Sequence, residues 1–166
     1  MHFDRNNIIL IGMPGCGKTT LARASGEALG LAWYDCDALI EEKAGMSVAE
    51  VFATWGESAF RTMETAALIA LCKHKDSVIA TGGGCVTREE NYWLLRQNGV
   101  IFCLDRALEK LPTDGRPLSQ AGDLAEMFSL RAPLYRCFAD YIIDNNGAPE
   151  DTARAILEVM YEDPGH

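Results

Sequence analysis

The stretch GMPGCGKTT, Gly12–Thr20, determines which fold class this chain belongs to. It follows the apolar run Ile8–Ile11 and precedes LARASGEAL, which is typical of a helix. The stretch satisfies the pattern G-x-x-x-x-G-K-[ST], in which glycines let backbone N–H groups surround phosphate oxygens. The helix that follows adds the positive end of its dipole. A glycine-rich turn with a chance lysine is the alternative, but the flanking strand and helix favour a nucleoside triphosphate site.

Two side chains of this loop have specific predicted roles. Lys18 can reach the β- and γ-phosphates, and the Thr19 hydroxyl can ligate Mg²⁺. The order of the glycines differs from the GxGxxG fingerprint of dinucleotide-binding proteins. The predicted nucleotide-binding residues of the loop are Gly12, Gly15, Cys16, Gly17, Lys18, Thr19 and Thr20.

The composition predicts a single cytoplasmic domain over residues 1–166 and excludes two classes of partner. The net charge is −9 and the sequence has no basic run, which argues against nucleic acid and anionic membranes. The apolar runs are far shorter than the roughly 20 residues that span a bilayer, and the amino terminus does not resemble a secretory signal. Any arginines and lysines that bind an anionic ligand are therefore expected inside a cleft. A monomer is expected because no sustained apolar heptad occurs.

The six cysteines are expected to be reduced thiols, mostly buried. They show no CxxC pair or other zinc-ligand spacing. Only three histidines occur, and two of them lie near the termini. A catalytic Ser/His/Asp triad or Cys/His pair is therefore not expected.

Apolar runs of strand length alternate with amphipathic segments of helix length along the whole chain. Because the runs are apolar throughout, they are typical of parallel strands covered on both faces. The alternation predicts an α/β fold in which right-handed crossovers connect the strands, with ligands at the carboxyl ends of the strands. The predicted strands are 7–12, 32–35, 77–82, 100–104 and 141–144.

Several local signals predict where helices begin and end. Ser47 with Glu50 and Thr87 with Glu90 each match the capping box, which places helix starts near both sites. Gly99 is expected to end the second of these helices. A longer helix is predicted over 57–75, and a last one begins at the PED sequence of 149–151.

Charged residues follow the second predicted strand and lie on the long helix. In DCD (35–37), one carboxylate could hold a metal through its water shell and the other could accept a hydrogen bond from a substrate hydroxyl. Asp37 could instead be the N-cap of the next helix. Arg61 and Glu64 are three residues apart and can pair on one helix face, either at a site or on the solvated surface.

Further glycines and arginines are candidates for a second ligand. TGGGC (81–85) places three glycines after the third strand, as close backbone approach to a ligand or a tight turn would require. The polar segment 111–123, with Arg116 at its centre, is typical of a lid or of a surface connection. Arg131 and Arg136 follow a helical stretch, and a guanidinium suits a carboxylate or a phosphate.

Taken together, these motifs resemble the shikimate kinase family. GMPGCGKTT, DCD, FR..E, GGG, RPL and R.PLY occur in the order and at roughly the spacing of that family over nearly the whole chain. The resemblance implies a three-layer P-loop kinase fold similar to nucleoside monophosphate kinases. It also implies a central five-stranded parallel sheet, a mobile lid at about 112–122 and a substrate-binding helical region at about 37–64. The implied reaction transfers the ATP γ-phosphoryl to the 3-hydroxyl of shikimate, within aromatic amino acid and chorismate biosynthesis.

The resemblance also implies how the nucleotide is bound. Lys18 and Thr19 match the residues that bind ATP and Mg²⁺, and Asp35 matches the aspartate on the metal side. Arg116 matches the lid arginine that closes over the phosphates, so that Lys18, Mg²⁺ and Arg116 supply positive charge to the transferred group. Pro149 lies where the family lines the adenine pocket.

For the acceptor, the resemblance implies that Asp37 faces the hydroxyls and orients the attacking one. Arg61 and Arg131 match the two arginines that bind the shikimate carboxylate, and Glu64 orients Arg61. Gly82, Gly83 and Gly84 match the glycines that form the wall of the family's site against which the shikimate ring lies.

The chain departs from the family pattern near the lid. The sequence RPLS has Ser119 where the family has an apolar residue, and Lys110 stands where an arginine is common near the adenine. Alternative functions are a gluconate-type kinase, a kinase of another hydroxy acid, or a nucleotide-binding module without activity.

Overall fold

A computed structural model describes residues 5–112 and 123–162 and contains a parallel sheet of five strands. The strands are β1 (Asn7–Ile11), β2 (Ala32–Asp35), β3 (Ser77–Ala80), β4 (Gly99–Asp105) and β5 (Tyr141–Asp144). Their order is β2-β3-β1-β4-β5, and every neighbouring pair is parallel. The predicted α/β class and all five predicted strands are confirmed, with ends that differ by no more than two residues.

The apolar sequences of the strands match their positions in the sheet. β1 and β3 consist of buried residues only, and every residue of β4 is buried except the last, Asp105. The edge strands β2 and β5 are partly exposed. The central strands are therefore covered on both faces, as their uninterrupted apolar runs predict.

Helices flank the sheet. α1 packs against β2, β3 and α6, α4 packs against β4, and α2 packs against α3. Short 3₁₀ turns lie at Cys85–Thr87 and Leu108–Lys110. The helices are α1 (Lys18–Leu29), α2 (Cys36–Ala44), α3 (Val48–Leu71), α4 (Glu89–Asn98), α5 (Asp123–Phe138) and α6 (Pro149–Glu162).

One of the two predicted capping boxes is confirmed. The Ser47 hydroxyl accepts a hydrogen bond from the Glu50 backbone N–H, and the Glu50 carboxylate accepts one from the Ser47 N–H. The box at Thr87 is wrong, because Thr87 lies in a 3₁₀ turn where its hydroxyl donates to the Gly84 carbonyl. Because the Thr87 hydroxyl donates to a preceding residue, it cannot cap the next helix. α4 begins at Glu89, two residues after Thr87, without a side-chain cap.

The long helix α3 joins two segments that the sequence predicts as separate helices. At Gly56 the backbone turns to φ 84° and ψ 173°, which kinks the helix. An added Cβ there would meet nothing within 4 Å, so the glycine is required by its positive φ rather than by crowding. The kink sets the direction of the second segment, which carries Arg61 and Glu64.

The predicted lid at about 112–122 lies outside the described residues, except for its first residue, Pro112. Arg116 and Ser119 are both outside the described residues. Among the helices of the described ranges, none combines the length and apolarity that crossing a membrane requires.

Candidate active site

The loop between β1 and α1 forms the phosphate-binding end of the site. Gly12, Gly15 and Gly17 have φ values of 146°, 77° and 100°, which favour glycine. The Lys18 ammonium donates hydrogen bonds to the Gly12 carbonyl at 2.8 Å and to the Met13 carbonyl at 2.9 Å. The lysine therefore spans its own loop and holds a positive charge at the wall of the cleft.

Asn145, which the sequence reading did not single out, fixes this loop from the far side. Its side-chain amide donates to the Cys16 carbonyl at 2.6 Å and accepts from the Thr152 hydroxyl at 2.7 Å. A Cβ on Gly17 would lie 2.7 Å from the same amide nitrogen, which is too close. The phosphate-binding loop is thus tied to the end of β5 and to α6. A lone asparagine after a strand carries no motif, so no signal in the sequence points to it.

Thr19 and Asp35 bring two hard oxygen ligands together at the carboxyl ends of β1 and β2. The Thr19 hydroxyl donates to one carboxylate oxygen of Asp35, and the other accepts from the Ala38 backbone N–H at 3.0 Å. Asp35 is therefore the N-cap of α2. A hydroxyl and a carboxylate beside a phosphate loop fit Mg²⁺, which takes few protein ligands and otherwise binds phosphate oxygens and water.

Asp37 lies in the first turn of α2, and the alternative that it is the N-cap is wrong because Asp35 has that position. Within the described residues, its Oδ1 is buried and has no hydrogen-bond partner. Burial raises the pKa of Asp37, the charge of Asp35 adds to this, and Lys18 opposes it. An unpartnered carboxylate oxygen at the wall of a cleft can accept a hydrogen bond from a ligand hydroxyl.

Arg61 and Glu64 form a buried ion pair, which excludes the solvated surface pair. Arg61 Nη1 lies 3.0 Å from Glu64 Oε1, and Nη2 lies 3.3 Å from Glu57 Oε1. Arg61 is 6% exposed and Glu64 is 0% exposed. Burial raises the pKa of Glu64, and the charge of Arg61 opposes this. Two carboxylates thus hold the guanidinium in one orientation.

Arg131 and Arg136 lie within α5 rather than after it, and only Arg131 faces the site. Arg131 is 8% exposed, whereas Arg136 is exposed to solvent. Among the residues whose side chains the structure describes, no carboxylate lies within ion-pair distance of Arg131. A buried cation without a carboxylate partner among the described side chains indicates a place for an anionic ligand.

The three glycines after β3 are required by their protein neighbours. A Cβ on Gly82 would collide with Glu64 Oε2, and one on Gly84 would collide with the Arg61 guanidinium. A Cβ on Gly83 would lie 2.7 Å from Pro14 Cδ. The glycines therefore let the ion pair and the phosphate loop approach the same backbone segment, a reason that the sequence reading did not supply.

These groups border one cleft with a cavity volume of about 290 Å³. It brings the phosphate loop, both aspartates, Arg61, Arg131 and the glycine wall together. Val48, Phe52 and Phe60, which the sequence reading missed, add an apolar side, and the two phenyl rings lie 4.5 Å apart. Their helical spacing also fits a core position, so the sequence does not distinguish them. The lining residues are Pro14, Gly15, Gly17, Lys18, Thr19, Thr20, Asp35, Asp37, Val48, Phe52, Phe60, Arg61, Glu64, Thr81, Gly82, Gly83, Gly84 and Arg131.

Three predicted nucleotide residues do not border this cavity. Gly12 and Cys16 are residues of the loop that are buried. Pro149 is the first residue of α6 and is half-buried. Arg116 lies outside the described residues.

A phosphate loop on a parallel sheet of this order, opening into a cleft with two buried arginines opposite, defines the class of P-loop kinases. The comparisons with known proteins agree with this class. The family model described as shikimate kinase matches residues 14–161.

Relatives cover nearly the whole chain. A shikimate kinase of Thermodesulfovibrio yellowstonii is 40% identical over 92% of this chain and 93% of its own. One of Caldanaerobacter subterraneus is 44% identical over 91% and 94%, respectively. A solved structure of a shikimate kinase from Acinetobacter baumannii in complex with shikimate has a TM-score of 0.91 at 36% identity and covers 98% of this chain and 97% of its own. The chain belongs to the shikimate kinase family.

Proposed function

We propose that the protein transfers the γ-phosphoryl group of ATP to the 3-hydroxyl of shikimate, giving shikimate 3-phosphate and ADP. The observation that carries this proposal is the cleft in which the phosphate loop faces two buried arginines. Family membership supports the same reaction, which belongs to aromatic amino acid and chorismate biosynthesis.

The charges at the acceptor end fit a single carboxylate. Glu64 and Glu57 pair with Arg61, whereas Arg131 has no carboxylate partner among the described side chains. A ligand carboxylate would complete this set, since a guanidinium binds carboxylates through paired hydrogen bonds. Two arginines that bind one end of a small cyclic acid leave its hydroxyls pointing toward the phosphate loop.

The two faces of the cleft fit a flat ring. Phe52 and Phe60 offer an apolar side, and the Gly82–Gly84 backbone offers a side without side chains. A nucleotide acceptor would need a base pocket in addition. The described residues therefore favour a small hydroxy acid as the acceptor.

Phosphoryl transfer depends mainly on positioning and on positive charge around the transferred group. We assign Lys18 to the phosphates and Asp37 to the attacking hydroxyl, whose proton its unpartnered oxygen can accept. Mg²⁺, when bound, neutralises charge on the phosphate oxygens, and Thr19 and Asp35 would hold it. Arg116 as a further phosphate ligand and Pro149 at the adenine remain predictions. So do action as a monomer and a cytoplasmic location.

The test compares two arginines of the same helix. Arg131→Ala should raise the shikimate KM at least about 30-fold, since losing one buried charged contact costs roughly 2–5 kcal/mol. The KM for ATP should change less than about twofold, because Arg131 lies at the acceptor end. Arg136→Ala, which removes an exposed arginine, should match the parent enzyme in both constants.

ADP release is measured with and without shikimate, with gluconate as a comparison substrate. If gluconate stimulates ADP release and shikimate does not, the acceptor is gluconate or a related acid rather than shikimate. If neither compound stimulates ADP release, the protein is a nucleotide-binding module without this kinase activity. Equal loss of affinity for ATP and shikimate in Arg131→Ala would contradict the assignment of this arginine.

A further inference from the structure

Asn145 contacts the phosphate loop without bordering the cleft. Gly17 of that loop borders the cleft, whereas Cys16, to which Asn145 is hydrogen-bonded, does not. The backbone of Asn145 is held by the end of β4. The Asn145 N–H donates to the Asp105 carbonyl at 2.8 Å, and the Asn145 carbonyl accepts from Arg106 Nη1 at 3.3 Å. The side chain therefore extends toward the loop from a fixed position.

The hydrogen bonds of the Asn145 side chain determine how its amide is oriented. A backbone carbonyl can only accept, so the amide nitrogen faces the Cys16 carbonyl and donates to it at 2.6 Å. The amide oxygen then faces the Thr152 hydroxyl, which donates to it at 2.7 Å. Asn145 and Thr152 are both 3% exposed, so bulk water competes little for either bond. Thr152 thus selects the orientation in which Asn145 donates to the loop.

The direction of the Cys16 carbonyl determines the direction of the Gly17 N–H. The two groups belong to one trans peptide unit, in which C=O and N–H point in opposite directions. Because Asn145 binds the carbonyl, the Gly17 N–H points away from Asn145, toward the side on which Gly17 borders the cleft. A Cβ on Gly17 would lie 2.7 Å from the Asn145 amide nitrogen, so the absence of a side chain allows this approach.

The Gly17 N–H is available to a ligand. Within the described residues it donates to no protein acceptor, and Gly17 immediately precedes α1, where N–H groups and the helix dipole attract phosphate. We propose that Asn145 is a positioning residue for the nucleotide. By holding the Cys16 carbonyl, it aims the Gly17 N–H at a phosphate oxygen, and Thr152 fixes the Asn145 amide in the orientation that this requires. This inference rests on the nucleotide-binding part of the proposed function.

The experiment compares Asn145→Leu with Asn98→Leu, since leucine has nearly the shape of asparagine and no polar side-chain atom. Asn98 is a matched control because its amide also donates to a backbone carbonyl, that of Leu94, at 2.7 Å. It ends α4 directly before β4 begins, so it lies at the amino ends of the strands, opposite the cleft. Asn145→Leu should raise the ATP KM about tenfold, the size expected for a hydrogen bond to a charged group. The shikimate KM should change less than about twofold, and Asn98→Leu should match the parent.

Inhibition by tripolyphosphate, which has no base, separates the phosphate loop from the adenine end of the site. The separation is needed because Asn145 also contacts α6 through Thr152, and Pro149 of that helix is predicted to lie at the adenine. Asn145→Leu should weaken competition by tripolyphosphate against ATP by the same factor as it weakens ATP binding. A tenfold higher ATP KM with unchanged tripolyphosphate inhibition would overturn the proposal, because the effect would then come through the base.

Thr152→Val provides a second variant, which leaves Asn145 in place and keeps the proposal testable if Asn145→Leu fails to fold. It should raise the ATP KM about threefold, the size expected for a neutral hydrogen bond. In the Asn145→Leu background it should change ATP affinity less than about twofold, and a further threefold loss there would overturn its action through Asn145. A lowered melting temperature with an unchanged ATP KM in both variants would also overturn the proposal, leaving a purely structural role. If the parent binds ATP but does not phosphorylate shikimate, it is the proposed acceptor that fails, since calorimetry still measures ATP binding in each variant.

Discussion

Replacing Gly84 with alanine tests the packing of the acceptor site with a single methyl group. Gly84 has φ −103° and ψ 8°, which alanine can adopt, so the backbone itself is not strained by the change. The added Cβ would lie well inside 3.0 Å of the Arg61 guanidinium, closer than real Cβ contacts come. The methyl group must therefore displace Arg61.

The size of the effect follows from how Arg61 is held. The guanidinium would have to move by about 1 Å to regain a van der Waals separation of about 3.5 Å. It is bound at 3.0 Å to Glu64 and at 3.3 Å to Glu57, so it cannot move that far without loosening these pairs. A misplacement of about 1 Å in a positioning group costs on the order of 100-fold in rate, or roughly 2.7 kcal/mol. We expect kcat/KM for shikimate to fall by about that factor.

The assay is steady-state ADP release at varied shikimate, together with direct binding of ATP by calorimetry. Affinity for ATP should stay within about twofold of the parent, because Gly84 contacts the acceptor side. Gly147→Ala is the matched control, since a Cβ there would meet nothing within 4 Å. A Gly84→Ala enzyme with the shikimate kcat/KM of the parent would refute the inference that this glycine makes room for Arg61.

Three further predictions concern charge and thiols. Lys18→Ala should abolish turnover in the ADP-release assay, because it removes the charge that spans the phosphate loop; a normal kcat would contradict its role. Burial raises the pKa of Glu64 above its ordinary value of 4.5, so the folded state binds more protons in the window above that value. The free energy of unfolding of the parent, relative to Glu64→Gln, should therefore decrease as pH rises through that window in urea titrations, and an increase would show that the pair with Arg61 outweighs burial. Cys137 is exposed, while burial raises the pKa of Cys72 to about 11 and that of Cys85 and Cys103 to about 12. One thiol should react rapidly with Ellman's reagent at pH 8 and be lost in Cys137→Ser, whereas several fast thiols would contradict the burial of the others.

Local patterns in the sequence were sufficient to predict the sheet. Runs such as those of β1 and β4 are mostly apolar because both faces of a central strand are covered. The position of such a strand can therefore be predicted from its residue types alone. The phosphate loop is equally local. Its glycines are needed where they stand because the positive φ values at Gly12, Gly15 and Gly17 belong to the loop itself.

Competition between nearby groups made some local predictions wrong. Thr87 and Glu90 have the spacing of a capping box, but the Thr87 hydroxyl donates to the Gly84 carbonyl instead. Asp35 and Asp37 are both plausible caps by residue type, and the start of the helix at Cys36 selected Asp35. Such choices depend on backbone geometry that spacing does not contain.

What the sequence by itself determined is the list of chemical groups: a phosphate loop, two aspartates after a strand, a run of glycines and a few arginines. The tertiary structure decided which of these groups meet. Arg61 and Arg131 are far apart in the chain, and only the packing of α3 and α5 around the end of β3 places them on one cleft while leaving Arg136 in solvent. It also placed Phe52 and Phe60 on this cleft and brought in Asn145, whose role depends on its hydrogen bond to the distant Cys16. Contacts between residues remote in sequence cannot be predicted from periodicity or spacing, because each contact depends on how whole helices and strands are placed relative to one another.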